Sequence, residues 1–162
     1  MISYAHMLYE GDCIPIDKKQ AAYYYKKVAD KGNEEAMLNY AHILYNGDGV
    51  PAEKEEAIKI YKDAINKGNE QLINSFITKI RVFSTDNNDE VSELYKLSID
   101  KGNVNAMVQY ADMLRDGFST FPTDKKEAAR LYKMAADKGD NQSMLNYANM
   151  LRNGLGVEMN KN

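Results

Sequence analysis

The quartet Asp30-Lys31-Gly32-Asn33 returns in nearly the same form at 66–69, 100–103 and 137–140, which sets the Lys-Gly pairs 36, 34 and 37 residues apart. Other columns keep the same step. Seven residues before each glycine stand Tyr25, Tyr61, Tyr95 and Tyr132; eleven before stand Ala21, Ala57, Val91 and Ala128; eight after stand Tyr40, Phe76, Tyr110 and Tyr147. A period of this length marks a stacked array, in which each unit is one supersecondary element that buries its apolar face only against its neighbours. The core of such a chain is a stripe running between units.

Each unit reads as two helices. In the stretch 18–31, Ala21, Tyr24, Tyr25, Val28 and Ala29 recur at spacings of three, four and seven, one face of a helix. Gly32 supplies the left-handed residue that ends it, and Lys31 stands in the last turn, where a cation suits the helix dipole. Asn33 then caps the next helix by accepting a bond from one of its orphan backbone N–H groups. The repeated quartet is therefore a stop signal followed by a start signal. The second helix, 34–46, puts Ala36, Met37, Tyr40, Ala41 and Leu44 on one face, and the turn-forming run 46–51 breaks the pattern before the next unit. Alanines at recurrent positions let two helix backbones approach closely while tyrosines and leucines fill the remaining space, each buried large side chain contributing roughly 1.5 to 3 kcal/mol.

The pattern gives four successive helix pairs, with half a unit before them at 1–10 and an unfinished turn after them. Residues 1–162 are expected to form one repeat domain, a fragment of a longer chain. One unit departs from the rest: Ile77 stands where the others carry alanine, the stretch 76–86 has no glycine pair, and a polar cluster follows it. The helix pair is expected to survive there with a wider spacing or an altered twist.

At Ala36, Ala41, Gly47, Gly49, Val50, Ala57, Tyr61, Ala64 and Gly68 the chain resembles the Sel-one-like repeat, a relative of the tetratricopeptide repeat with a longer connection, and the resemblance runs over essentially the whole length. The segment 117–124 departs from it by one extra residue and a missing second glycine, and the usual Leu-Gly pair of the first helix is Tyr-Ala here. The resemblance implies an all-α fold, a right-handed α-solenoid of antiparallel helix pairs. It implies a scaffold or adaptor that assembles other proteins; in some members the repeats accompany a further domain such as a protein kinase. A cysteine-rich branch linked to β-lactamase-like activity carries disulfides in each repeat, which Cys13, the only cysteine, cannot supply.

The residues themselves narrow the function classes. A formal net charge of -3 offers no basic field for nucleic acid or an anionic bilayer. No apolar run approaches the roughly 18 residues of a membrane-spanning helix, the start lacks a leader pattern, and a single cysteine is compatible with a reducing compartment. A cytoplasmic protein without membrane insertion is expected. His6 and His42, the only histidines, share a column that continues as Thr78, Asp112 and Asn149, a mixed solvated face rather than a metal set. The glycines at 47 and 49 are not followed by the lysine and hydroxyl residue of a phosphate loop, and no nucleophile stands in a motif beside a base and an orienting acid. The expectation is a non-enzymatic chain with no metal and no cofactor.

By the resemblance, the helix after each quartet lines the concave side of the array. Its polar columns hold Asn39, Gln109 and Asn146, then His42, Asp112 and Asn149, then Arg81, Arg115 and Arg152. An amide offers both a donor and an acceptor, so a ladder of them suits the backbone of an extended peptide; arginines suit its carboxylates. The candidate binding residues are Asn39, His42, Gln109, Asp112, Arg115, Asn146, Asn149 and Arg152, and the expected partner is a protein or peptide. Two alternatives stand beside this one: an interface on the convex face or the repeat ends, and a regulatory repeat segment of a larger signalling enzyme. The oligomeric state is open.

Overall fold

The computed structural model describes residues 1–83, 88–118 and 121–157, with the side chains of 80–83 and 88 outside the description. Regular structure among these residues is helical: α1 (Ile2–Glu10), α2 (Lys18–Ala29), α3 (Glu34–Asn46), α4 (Lys54–Lys67), α5 (Glu70–Phe83), α6 (Asn88–Asp100), α7 (Val104–Asp116), α8 (Lys125–Asp137) and α9 (Asn141–Asn153). They fall into two compact units, Met1–Leu72 and Ile73–Asn162. Consecutive helices pack on each other: α1 on α2, α2 on α3 and α3 on α4 in the first unit, α6 on α7, α7 on α8 and α8 on α9 in the second. No described helix is long and apolar enough to cross a membrane.

The repeated quartet does what its chemistry demands. Gly32 takes φ +88°, in the left-handed region. The side-chain oxygens of Asn33, Asn69, Asn103 and Asp140 then accept from the backbone N–H three residues on, at 2.8, 3.3, 2.7 and 2.7 Å, and so cap α3, α5, α7 and α9. The asparagines can also use their other end. Asn69 Nδ2 donates to Glu34 Oε2 at 3.0 Å, and Asn103 Nδ2 donates to Asn74 Oδ1 at 2.9 Å. One carboxamide thus starts its own helix and ties that start to the preceding post-quartet helix. Asp140 has no donor to do the same.

The core of the first unit is built from Ala5, Leu8, Ala21, Ala22, Tyr25, Ala29, Ala36 and Ile43, mostly small side chains that bring the backbones close. Helix α3 departs from its expected single stripe. Leu38, Ile43 and Tyr45 are buried along with Ala36, Ala41 and Leu44, while Met37 and Tyr40 are only partly covered. The reason is its position: α3 packs against α2 on one side and α4 on the other, so its buried arc is wide, and the two residues that face the gap between those neighbours stay open.

The turn 46–51 is locked from below. A Cβ built on Gly49, at φ +77°, would lie 2.5 Å from Lys19 N and 2.6 Å from Lys18 C, the first residues of α2. Gly156 meets Lys125 and Lys126 at the start of α8 even more closely. The second glycine of the turn is therefore the place where the loop rests on the backbone of the helix before it. In the unit that departs from the repeat, α4 and α5 both form, with Phe76 and Ile77 of α5 buried. The polar stretch 84–87 lies outside the described residues.

Two stability predictions follow from these contacts. Gly49→Ala adds a backbone clash to the left-handed penalty and should cost about 3 kcal/mol, against about 1 to 2 kcal/mol for Gly32→Ala, which has nothing within 4 Å of the added methyl. Equal losses in urea denaturation would show that the close approach is unimportant. Asn103→Ala, which removes a cap and a buried amide bond, should cost about 2 kcal/mol, whereas Asp140→Ala removes a cap only and should cost about 1 kcal/mol. The same denaturation curves compare them.

Candidate functional site

In the second unit the expected polar columns lie along α7 and α9. On α7, Gln109 Nε2 donates to Asn105 Oδ1 at 3.1 Å and reaches Thr78 Oγ1 on α5 at 3.5 Å. Its Oε1 is buried and accepts nothing among the described residues. On α9, Gln142 Nε2 donates to Asn146 Oδ1 at 3.2 Å. One turn further, Asn149 is partly exposed and Arg152 exposed, and Arg152 forms no ion pair or hydrogen bond among the described residues.

Asp112 and Arg115 are tied into the fold. The hydroxyl of Tyr132, reaching through from α8, donates to Asp112 Oδ1. Arg115 Nη1 donates to that same hydroxyl at 2.8 Å, while Nε and Nη2 clasp Asp116 at 2.8 and 2.6 Å. The fork geometry is the strong, planar kind of arginine–carboxylate pair. Its consequences are electrostatic. Arg115 is held even more firmly protonated than usual, first by the bond to Asp116. The Tyr132 hydroxyl is pushed well above the ordinary phenol range, first by burial and then by the Asp112 carboxylate.

In the first unit His42 and Asn39 lie on α3, both partly buried. His42 Nε2 sits 3.3 Å from Asn46 Nδ2, and the Tyr9 ring meets the imidazole edge-on with centroids 6.3 Å apart. His6, on α1, meets the Tyr25 hydroxyl through Nδ1 at 3.2 Å. Burial pushes that hydroxyl up to about 12, with the Glu10 and Glu35 charges adding. Arg81, assigned to the arginine column, lies outside the described side chains.

Two features escaped the sequence reading. One is the reach of the outer tyrosines: Tyr25 and Tyr132 are buried in the core, yet their hydroxyls end on the polar column at His6 and Asp112. The signal was present as the offset between the two columns, 19 residues from His6 to Tyr25 and 20 from Asp112 to Tyr132. The other is Asp48, which gathers the Tyr9 hydroxyl at 2.7 Å and Lys18 Nζ at 2.7 Å. Burial would raise its pKa, but these bonds and the lysine charge outweigh it and hold the carboxyl below its usual range. Among the described residues no group of three or more histidines, cysteines and carboxylates could hold a metal ion.

The repeat geometry has known counterparts. The Sel1 repeat family matches the chain over residues 1–33, 34–69, 104–140 and 141–162, leaving out α5, where the pattern had drifted, and α6 after it. No curated protein matches it. Among solved structures it is similar to a Sel1 repeat protein from Oxalobacter formigenes, at 23% identity and a TM-score of 0.58 over 96% of this chain and 64% of that one. It is also similar to c5321, a protective antigen of uropathogenic Escherichia coli strains that displays an SLR fold, at 26% identity and a TM-score of 0.61 over 98% of this chain and 34% of that one. The chain thus spans less than two thirds of either protein. With four matched repeats and all-helical units, it belongs to the Sel1 repeat family and to the α-solenoid fold class.

Proposed function

We propose that this chain is a non-catalytic scaffold that holds an extended peptide on the polar faces of its post-quartet helices, α3 in the first unit and α7 and α9 in the second. Sel1 repeat proteins are generally protein-interaction scaffolds, which sets the class. The observation that carries the finer reading is the state of the amides. Gln109 and Asn146 are each steadied by a neighbour one turn away, which fixes the orientation of the amide. A side-chain amide offers the backbone of an extended peptide both a donor and an acceptor.

The arginines divide the work. Arg115 is held by Asp116, Asp112 and Tyr132, which neutralise its charge and leave it a structural role. Arg152 stands in the same column with its guanidinium free among the described residues, and it is the group for an acidic side chain or a terminal carboxylate. Asp112 and Asn149 stand on the same helices of the second unit, and Asn39 and His42 on α3 of the first.

The test is affinity capture from the source cell with mass spectrometry, comparing the native chain with Asn39→Ala, Asn146→Ala, Asn149→Ala and Arg152→Ala combined. Arg115 is left in place because its removal would disturb the fold. The two proteins should melt alike, and partners should be lost selectively from the variant. An identical partner set for both would sink the polar-face reading.

A further inference from the structure

On the other side of α3 lies a cleft of about 870 Å³, walled by α2 and α4. Met37, Tyr40 and Leu44 form its floor, and Ala29, Ile60 and Ala64 line the walls. Its volume is that of a site for a sizeable side chain or a few residues of peptide.

The second unit shows what a closed version of this place looks like. Tyr110 occupies the Tyr40 column, eight residues after its quartet glycine. It is stacked on Tyr95 with centroids 5.2 Å apart and rings 8° from parallel, it meets Phe121 edge-on at 6.4 Å, and its hydroxyl bonds Ser92 Oγ at 2.7 Å. In the first unit each of the last two partners is missing. The residue corresponding to Ser92 is Ala22, which has no hydroxyl, and the loop position of Phe121 is Val50. Tyr110 is 6% exposed, whereas Tyr40 is only partly covered and its hydroxyl makes no hydrogen bond among the described residues. An aromatic residue whose counterparts Phe76 and Tyr110 are buried is left open here, with an unfilled donor.

The rim is acidic on balance. Lys26 is engaged by Asp30 at 3.1 Å, so the α2 wall is close to neutral. The α4 wall presents Glu53, Glu56 and Asp63, of which Glu53 and Asp63 form no ion pair or hydrogen bond among the described residues and Glu56 lies 3.9 Å from Lys59. Lys67 stands at the far end. Glu53 and Asp63 are ten residues apart on one helix, about 15 Å at the helical rise, which four or five residues of extended chain would span.

We propose that this cleft is a second interaction site, taking an extended basic segment of a partner polypeptide that sets an apolar side chain on Tyr40 and carries cations to Glu53, Glu56 and Asp63. Arginine and lysine fit such a site twice over, because their alkyl stems cover apolar surface while the charged head reaches a carboxylate. The Tyr40 hydroxyl gains a backbone carbonyl of the segment as its acceptor, and the ring face can take a cation. The site is independent of the polar face of α3, since Met37, Tyr40 and Leu44 lie on the side of that helix opposite Asn39 and His42.

The experiment selects a displayed library of random linear peptides on the full chain. It then measures binding of the selected peptides to the native protein, to the double charge reversal Glu53→Lys with Asp63→Lys, and to the Asn146→Ala, Asn149→Ala and Arg152→Ala variant. Both positions reversed are exposed and Glu53 makes no side-chain cap, so the fold should survive, which a melt checks. The expected result is a set of peptides pairing arginine or lysine with apolar residues. Their affinity should fall at least about tenfold on charge reversal and with added salt, and stay unchanged in the polar-face variant. Selected peptides without basic residues, peptides indifferent to the reversal, or no peptide retained at all would each overturn the proposal. So would a concentration-dependent dimer abolished by the reversal, which would assign the cleft to a second copy of the chain.

Discussion

A helix leaves its first backbone N–H groups without partners inside the helix, and this chain supplies one to each post-quartet helix in the same way. The asparagine or aspartate of the quartet supplies the acceptor, and the glycine just before it lets the chain reverse without strain. Everything else in a unit presupposes that reversal. The alanines meet only because two helices are brought back alongside each other, and the outer tyrosines reach the polar column only because the register of that return is fixed. At Asn69 and Asn103 the cap does more, because the amide nitrogen holds the preceding post-quartet helix.

Packing and polarity then divide the labour between the two helices of a pair. The post-quartet helices α3 and α7 are packed on both sides, whereas α9 packs on α8 alone. On α7 and α9 the amides are held in place by neighbours one turn along the same helix, Asn105 with Gln109 and Gln142 with Asn146. Arg115 is engaged by its chain neighbour Asp116 and by the Tyr132 hydroxyl arriving from α8.

The fold was legible in the sequence because its signals are local and repeated. A glycine at the end of one helix, an asparagine at the start of the next and an apolar face at helical spacing each act within a few residues, and the period multiplies them. What was not legible depends on neighbours distant in sequence. The open state of Tyr40 follows from Ala22 standing where Ser92 stands in the other unit and from Val50 standing where Phe121 does. No single residue carries that information. Likewise Met37 and Tyr40 have the right spacing for the core, and only the gap between α2 and α4 decides that they remain partly uncovered. The role of Arg115 was equally hidden, since a lone arginine on a polar column gives no notice that a tyrosine from the next helix arrives beside it.

The passage of the Tyr25 and Tyr132 hydroxyls through the core has a consequence for how such an array can diversify. A residue on the polar column that meets a hydroxyl from behind is not free to become anything that suits a ligand. It must also pair with that hydroxyl, as the His6 imidazole and the Asp112 carboxylate do. A purely apolar side chain there would take that hydrogen bond away. The vocabulary of the column is therefore restricted from inside the molecule, and new specificities would be written more cheaply one turn away, at positions such as 109 and 146 that no outer tyrosine reaches.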